Sequence, residues 1–267
     1  MIPIKGELRE MKKIVSIAFC ILLLCSLLMT VGTAMAYQEG FELTEYFALD
    51  VITYDGAWTN ADEWSATEIK YMGTPQKGLF AYLMDSVTTG AYSPACLVEF
   101  ADSTQDAGDI IQICINGGLD STAPTAGEDF KFEITGLTTK KAYEGTGSGW
   151  AESSAALGVC TMAATVTTSA HDSSPHVVME WMVDKGALAA WGANPPPENF
   201  RVACYDASSD TWLSWPPTSS ADNPSSWGQI NSYSMDPFPE GLTIGVMLAL
   251  SSVAAVVSLR YFKKPKL

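Results

Sequence analysis

Between Ala48 and Asp206 the chain is cut into short apolar segments, rich in β-branched and aromatic residues and bounded by Gly, Pro, Asp and Ser. This punctuation constrains the fold more than any other feature. Segments of about 4–8 residues suit strands, whereas helices need longer stretches at a 3.6-residue period. Ten segments read as strands: Ala48–Tyr54, Ala66–Tyr71, Gly78–Ser86, Ala95–Ala101, Ile110–Asn116, Phe130–Gly136, Lys140–Gly145, Cys160–Ser169, Val177–Val183 and Asn199–Asp206. Only 186–192 suggests a short helical turn. Without amphipathic helices between them, the segments predict an all-β protein, an antiparallel β-sandwich of about ten strands. Ile111, Ile113 and Ile115 fall on one face of their segment, with Gln112 and Cys114 on the other. Phe130, Phe132 and Ile134 alternate with Lys131, Glu133 and Thr135. These apolar sets, with Val178 and Phe200, are the expected core.

The two ends carry different signals. Lys12 and Lys13 precede an apolar run from Ile14 to Val31 that closes on Ala34-Met35-Ala36. A basic region, an apolar region and small residues at −3 and −1 make a secretory signal peptide over residues 1–36. The pattern itself begins at Met11, and residues 1–10 read as a misassigned start. An uncleaved anchor is the alternative, and the Ala-x-Ala site favours cleavage. Gly241 to Leu259 is an uncharged run of 19 residues, long enough for a transmembrane helix. Arg260, Lys263, Lys264 and Lys266 follow and would keep the tail of 260–267 inside. Residues 37–231 are then the exported sandwich and 232–240 a Pro/Ser-rich linker. The expected location is the cell membrane, crossed once, with the ectodomain outside.

The span 37–240 holds 28 acidic residues against 7 basic ones. It offers no basic stripe to neutralise phosphates, so nucleic acid is excluded as a partner. Cys96, Cys114, Cys160 and Cys204 permit two disulfides in three connectivities. If Ala95–Ala101 and Ile110–Asn116 form a hairpin, Cys96 lies opposite Cys114 and Cys160 is left for Cys204. Asn223-Pro-Ser has the proline that forbids N-glycosylation. No G-x-S-x-G, H-E-x-x-H or P-loop is present, so nothing argues for an enzyme.

Several segments carry a family resemblance. Asp55-Gly56-Ala57-Trp58-Thr59-Asn60-Ala61-Asp62-Glu63-Trp64 resembles the opening of family 9 carbohydrate-binding modules and the related DOMON-like domains. Gly78-Leu79-Phe80-Ala81-Tyr82, the acidic turn from Ser103 to Ile113, Glu180-Trp181, Asn199-Phe200-Arg201 and Ser214-Trp215-Pro216 resemble later motifs in the same order. The resemblance spans about 44–231 and implies a sandwich that binds carbohydrate without catalysis. Pro239-Glu240 before the apolar run and basic tail is similar to archaeal sortase-type sorting signals, although Gly241 stands where that pattern has Phe. The partner implied is an extracellular glycan or surface polymer. A haem-binding redox domain and a structural surface-layer or adhesion protein are the competing readings.

Sugars pack their C–H faces on indole rings and present hydroxyls to carboxylates and amides. Trp58, Trp150, Trp191 and Trp212 lie in Gly-, Ser- or Asp-rich surroundings and are the ligand candidates, each with a ring lying over the sandwich edge as the alternative. Gly147-Ser148-Gly149 sets Trp150 apart from strand neighbours, and Glu152 is placed to accept sugar hydroxyls. Trp64, Trp181 and Trp215 fall in structural motifs and are assigned to the core, and Trp227 to packing of the following segment. Asp102, Asp106 and Asp109 surround one turn, and Asp120, Glu128 and Asp129 flank the next loop. Such turns supply oxygens of the kind Ca2+ takes, six to eight of them. Their spacing departs from an EF-hand, and a solvated acidic loop is the alternative. Haem would need His171 or His176 with a thioether from Met72, Met84, Met179 or Met182, and those methionines equally fill a core.

Overall fold

The computed structural model describes residues 38, 40–74, 76–90, 92–104, 106–116, 122–184 and 198–231. The first strands are β1 (Glu42–Thr44), β2 (Ile69–Tyr71), β3 (Gly78–Asp85), β4 (Ser93–Phe100) and β5 (Ile110–Asn116). They are followed by β6 (Asp129–Thr135), β7 (Thr139–Gly145), β8 (Trp150–Glu152), the short helix α1 (Ser154–Gly158), β9 (Cys160–Thr167) and β10 (His176–Val183). The chain closes with β11 (Glu198–Asp206), β12 (Thr211–Trp215), a 3-10 turn at Pro224–Ser226 and β13 (Gly228–Asn231).

Two sheets face each other, as the all-β sandwich reading requires. The eight-stranded sheet runs β1-β13-β11-β5-β6-β7-β8, with β12 also paired to β11. One edge of β11 is shared: β13 takes residues 198–200 and β12 takes 202–206. The five-stranded sheet runs β2-β3-β4-β10-β9. Pairing is antiparallel except between β1 and β13. Alternate residues of both sheets meet in the interior: Phe80, Tyr82, Cys96, Val98, Ile111, Ile113, Ile115, Phe130, Phe132, Ile134, Met179, Trp181, Phe200 and Trp215. Phe132 packs on Trp181 at 5.3 Å between ring centroids, and Phe80 on Trp215 at 5.2 Å. The expected core residues of β5, β6 and β11 are there, and Trp64, Trp181 and Trp215 are buried.

The five-stranded sheet is covered on its outer face as well, which is why β3 and β4 are buried at every position. Ala48, Ile52, Trp58 and Trp64 pack there on Ala81, Leu83, Ala95, Leu97 and Val178. The expected strand Ala48–Tyr54 is part of this cover and forms no strand. Glu180 fastens it. Its Oε2 accepts from Asp55 N and Gly56 N, at 2.9 and 3.0 Å, and its Oε1 from the Trp64 indole at 3.0 Å. Gly56 has φ of +84°, and a Cβ there would meet Ala164 N at 2.8 Å, so the turn rests directly on β9.

The expected hairpin of β4 with β5 does not form. β4 pairs β3 and β10, β5 pairs β6 and β11, and the 101–109 connection crosses between the sheets. Cys96 therefore does not face Cys114, and the four cysteines are free thiols. Cys96 and Cys204 point into the interior cluster, whereas Cys114 lies on the outer side of β5. Strands β1, β8, β12 and β13 go beyond the ten expected, and Ala66–Tyr71 shortens to β2. The expected signal peptide, linker after Asn231, transmembrane run, basic tail and 186–192 turn lie outside the described residues. Among the described residues no helix is long and apolar enough to cross a membrane.

Candidate functional site

The outer face of the eight-stranded sheet has a different chemistry from the other three sheet faces. Register places Cys114, Lys131, Tyr143 and Glu152 in one cross-strand row, with Arg201 opposite Cys114. Gln112, Glu133 and Lys141 form the next row, with Ala203 beside Gln112. Strand alternation turns all of these away from the core. Even so, Gln112 and Arg201 are buried, and the Lys131 and Glu133 side chains are only 13% and 15% exposed. A sheet face kept both polar and sheltered is an unusual use of burial, because each such group needs a partner.

The partners are mutual. Gln112 Nε2 donates to Glu133 Oε1 at 2.6 Å, and Lys131 Nζ lies 3.2 Å from the same oxygen. Arg201 Nη1 donates to Gln112 Oε1, and Arg201 Nε donates to Ser219 Oγ at 3.1 Å. The Lys131 ammonium stands 4.2 Å from the Tyr143 ring centroid and 5.4 Å from that of Trp150, a cation–π arrangement. Burial pushes the Tyr143 phenol up to about 12, with the Glu133 carboxylate adding to it, so it stays a neutral donor. At the edge, Lys141 pairs with Glu152 at 3.1 Å. The row is thus a mutually paired set of donors and acceptors lying beside the Tyr143 and Trp150 rings.

Trp150 and Glu152 belong to this face, but not as a free loop. Trp150 opens β8 opposite Gly145, so the glycines before it form a turn rather than isolating it. It is half-buried and lies parallel to Trp227, with centroids 6.5 Å apart and planes 4° from parallel. Trp227 is buried and donates its indole N–H to Ser220 O at 2.7 Å. Trp212 is exposed and rests on Tyr205 at 5.0 Å. Both belong to the same outer face, on β11 and β12, with β12 five strands across the sheet from β8. Trp58 is 8% exposed within the cover of the five-stranded sheet, so it presents no open platform. Trp191 lies outside the described residues. Reading the sequence alone missed Gln112, Lys131, Tyr143 and Arg201, although their alternation with core residues was a usable signal.

The acidic turn gains a fourth member. Carboxylate oxygens of Asp102, Asp106, Asp109 and Asp206 all lie within 4.8 Å of one another. Asp206 comes from the end of β11 and was not expected. Asp109 accepts from Ala207 N at 3.0 Å and Asp106 N at 2.9 Å, which joins the two loops. Its carboxyl is nevertheless held above the usual range, chiefly by burial, with Asp102 and Asp106 adding repulsion. Hydroxyl donation from Ser209 and Ser208 holds Asp206 down to about 2. Asp102 Oδ2 is buried with no hydrogen-bond partner. Four convergent carboxylates with an orphaned oxygen fit a hard cation such as Ca2+. Asp120 lies outside the described residues. Asp129 is buried, and its Oδ2 accepts from Thr125 N.

His171 and His176 flank Glu99 on the outer side of the five-stranded sheet, with ring nitrogens 3.5 and 3.4 Å from Glu99 Oε2. Met72, Met84 and Met179 are in the interior cluster. The histidines and these thioethers are thus on opposite faces of one sheet. Met182 packs with the outer cover.

No family model matches the chain, and no curated protein matches its sequence. Solved structures do resemble it. A family 9 carbohydrate-binding module from Caldicellulosiruptor kristjanssonii, in complex with glucose, covers 72% of this chain and 95% of its own, at 14% identity and a TM-score of 0.49. The module from the same organism in complex with cellotriose gives 12% identity, 74% and 97% coverage and 0.49. A proposed carbohydrate-binding protein from Bacteroides uniformis gives 8% identity, 73% and 100% coverage and 0.51. The likeness to the last is one of fold.

Proposed function

We propose that this chain is a non-catalytic carbohydrate-binding domain, exported and held at the cell membrane by its C-terminal apolar run. The glycan would lie on the outer face of the eight-stranded sheet, beside Trp150. The observation that carries this reading is the sheltered row of Gln112, Lys131, Glu133 and Arg201 next to Tyr143 and Trp150. An interior built only for stability fills such a face with apolar side chains, because buried polar networks stabilise little. A ligand-binding face needs the opposite: fixed hydrogen-bonding groups and an aromatic wall. The shared fold with the Bacteroides protein agrees with it. The membrane tether rests on the uncharged run 241–259 and the basic residues after it.

A glycan array followed by calorimetric titration tests the reading. Trp150→Ala should weaken binding roughly tenfold or more, which is about 1.4 kcal/mol. Trp212→Ala, across the sheet, should leave affinity unchanged. Wild-type protein that binds no sugar at millimolar concentration, or Trp150→Ala that binds as wild type does, would sink the proposal.

A further inference from the structure

Eight large hydrophobic side chains are exposed among the described residues, and six of them gather in one place. Tyr46 and Phe47 lead into the cover of the five-stranded sheet, Leu49 and Val51 lie within it as exposed residues between the buried Ala48 and Ile52, and Val87 and Tyr92 come from the turn between β3 and β4. They form one patch. Phe47 and Tyr92 meet edge to face at 5.6 Å. Phe47 bridges to Met84, and Ile52 N donates to Thr88 Oγ1 at 2.9 Å, which ties the two segments side by side. Leu49 is 79% exposed and Tyr92 65%. Scattered apolar residues on a surface need no explanation, but a cluster rich in Tyr, Phe and Leu does.

The chain's exit point says what covers it. The last described residue, Asn231, accepts from Glu45 N at 3.0 Å, one residue before the patch begins. Nine residues, 232–240, separate Asn231 from the apolar run. Fully extended at about 3.3–3.6 Å each, they reach roughly 30 Å. With the apolar run spanning a membrane as proposed above, such a tether would hold Asn231 within roughly 30 Å of the bilayer. Tyr and Phe beside aliphatic side chains are the residues that settle at a membrane interface. Glu45 and Asp50 beside them disfavour an anionic surface.

We propose that this patch seats the domain on the lipid surface, inserting Leu49, Val51, Phe47 and Tyr92 among neutral headgroups. The inference rests on the membrane tether proposed above. It gives the domain a fixed pose: β3 runs about 25 Å away from the bilayer, and the β9–β10 connection around Ser173 lies at the far end. The opposite pairing ends of β3 and β4, Asp85 with Ser93 and Gly78 with Phe100, define these two poles.

The test is photocrosslinking of the full chain in phosphatidylcholine vesicles. A diazirine analogue of leucine replaces Leu49 in one sample and Ser173 in another. Flotation reads the tether, and mass spectrometry reads the adducts. Lipid adducts at position 49 about tenfold above those at 173 are expected from interfacial insertion. A chain that floats but crosslinks at 49 to its own residues 232–240, to a second copy or to solvent overturns the docking and leaves the tether standing. A chain that does not float overturns both.

Discussion

Glu180 offers a sharp test of how the outer cover is held. Glu180→Ala removes the acceptor of Asp55 N, Gly56 N and the Trp64 indole together. Gly56 N and the indole are buried, and each orphaned buried donor costs about 1–3 kcal/mol, while Asp55 N turns to water. The expected loss is about 2–6 kcal/mol at pH 5, a large part of a typical stability of about 5–15 kcal/mol. Acidity changes that figure. Burial raises the Glu180 carboxyl from 4.5 to about 7, even though its three donors pull it down. Across that window the folded protein holds a proton that the unfolded chain has lost. The wild type therefore loses stability as pH rises from about 4.5 to about 7, by about 3 kcal/mol at 1.36 kcal/mol per pH unit. Glu180→Ala lacks this dependence, so its cost should be about 3 kcal/mol smaller at pH 8 than at pH 5. Urea unfolding followed by tryptophan fluorescence at both pH values measures the difference. Equal costs at the two values, or a cost below about 1 kcal/mol at pH 5, would refute the reasoning.

Other outcomes follow from packing and charge. Trp181→Ala should cost roughly 3–5 kcal/mol in thermal melts, as a fully buried aromatic truncated in the core. Gly228→Ala should destabilise the β13 end, because its Cβ would come 2.3 Å from the Trp215 ring; circular dichroism melts of this variant check it. Calcium should raise the melting temperature, by about 2.7 kcal/mol of stabilisation at 100 times Kd. Magnesium at equal ionic strength is the control, and Asp206→Asn should abolish the calcium effect; an equal shift from both ions would mean charge screening alone.

The strands with strict alternation were legible, because period and burial coincide there. Ile110–Asn116 and the segments around Phe130 and Val177 were read close to their observed bounds. Ala48–Tyr54 was misread because a segment that drives Ile52 into a sheet face and leaves Leu49 and Val51 outside carries the same local composition as a strand. Strands β8, β12 and β13 have three to five residues, too few for a period to show. The crossing of 101–109 between sheets is a tertiary choice that neither cysteine signals, so a hairpin register misled. Trp150 and Glu152 do share one sheet face, but on strand β8 rather than in a free loop, because Gly147 and Gly149 make the turn that leads into it. Trp58 was hidden because Gly56 lets its turn rest on β9. Asp206 was read only as the end of a strand, and it is the fold that brings it to the other carboxylates.

The parallel pairing of β1 with β13 has a consequence for how such a domain is carried by a larger chain. Glu42 stands beside Gln229 and Thr44 beside Asn231, so the way in and the way out are one short strand apart, about 10 Å. A two- to four-residue bridge could join 231 to 42, and new ends could open at the exposed Ser173 turn, giving a circular permutant with every pairing kept. The same closeness makes the sandwich a cassette. It can be spliced into a surface loop of another protein without prising its host apart, and lost again without leaving a gap.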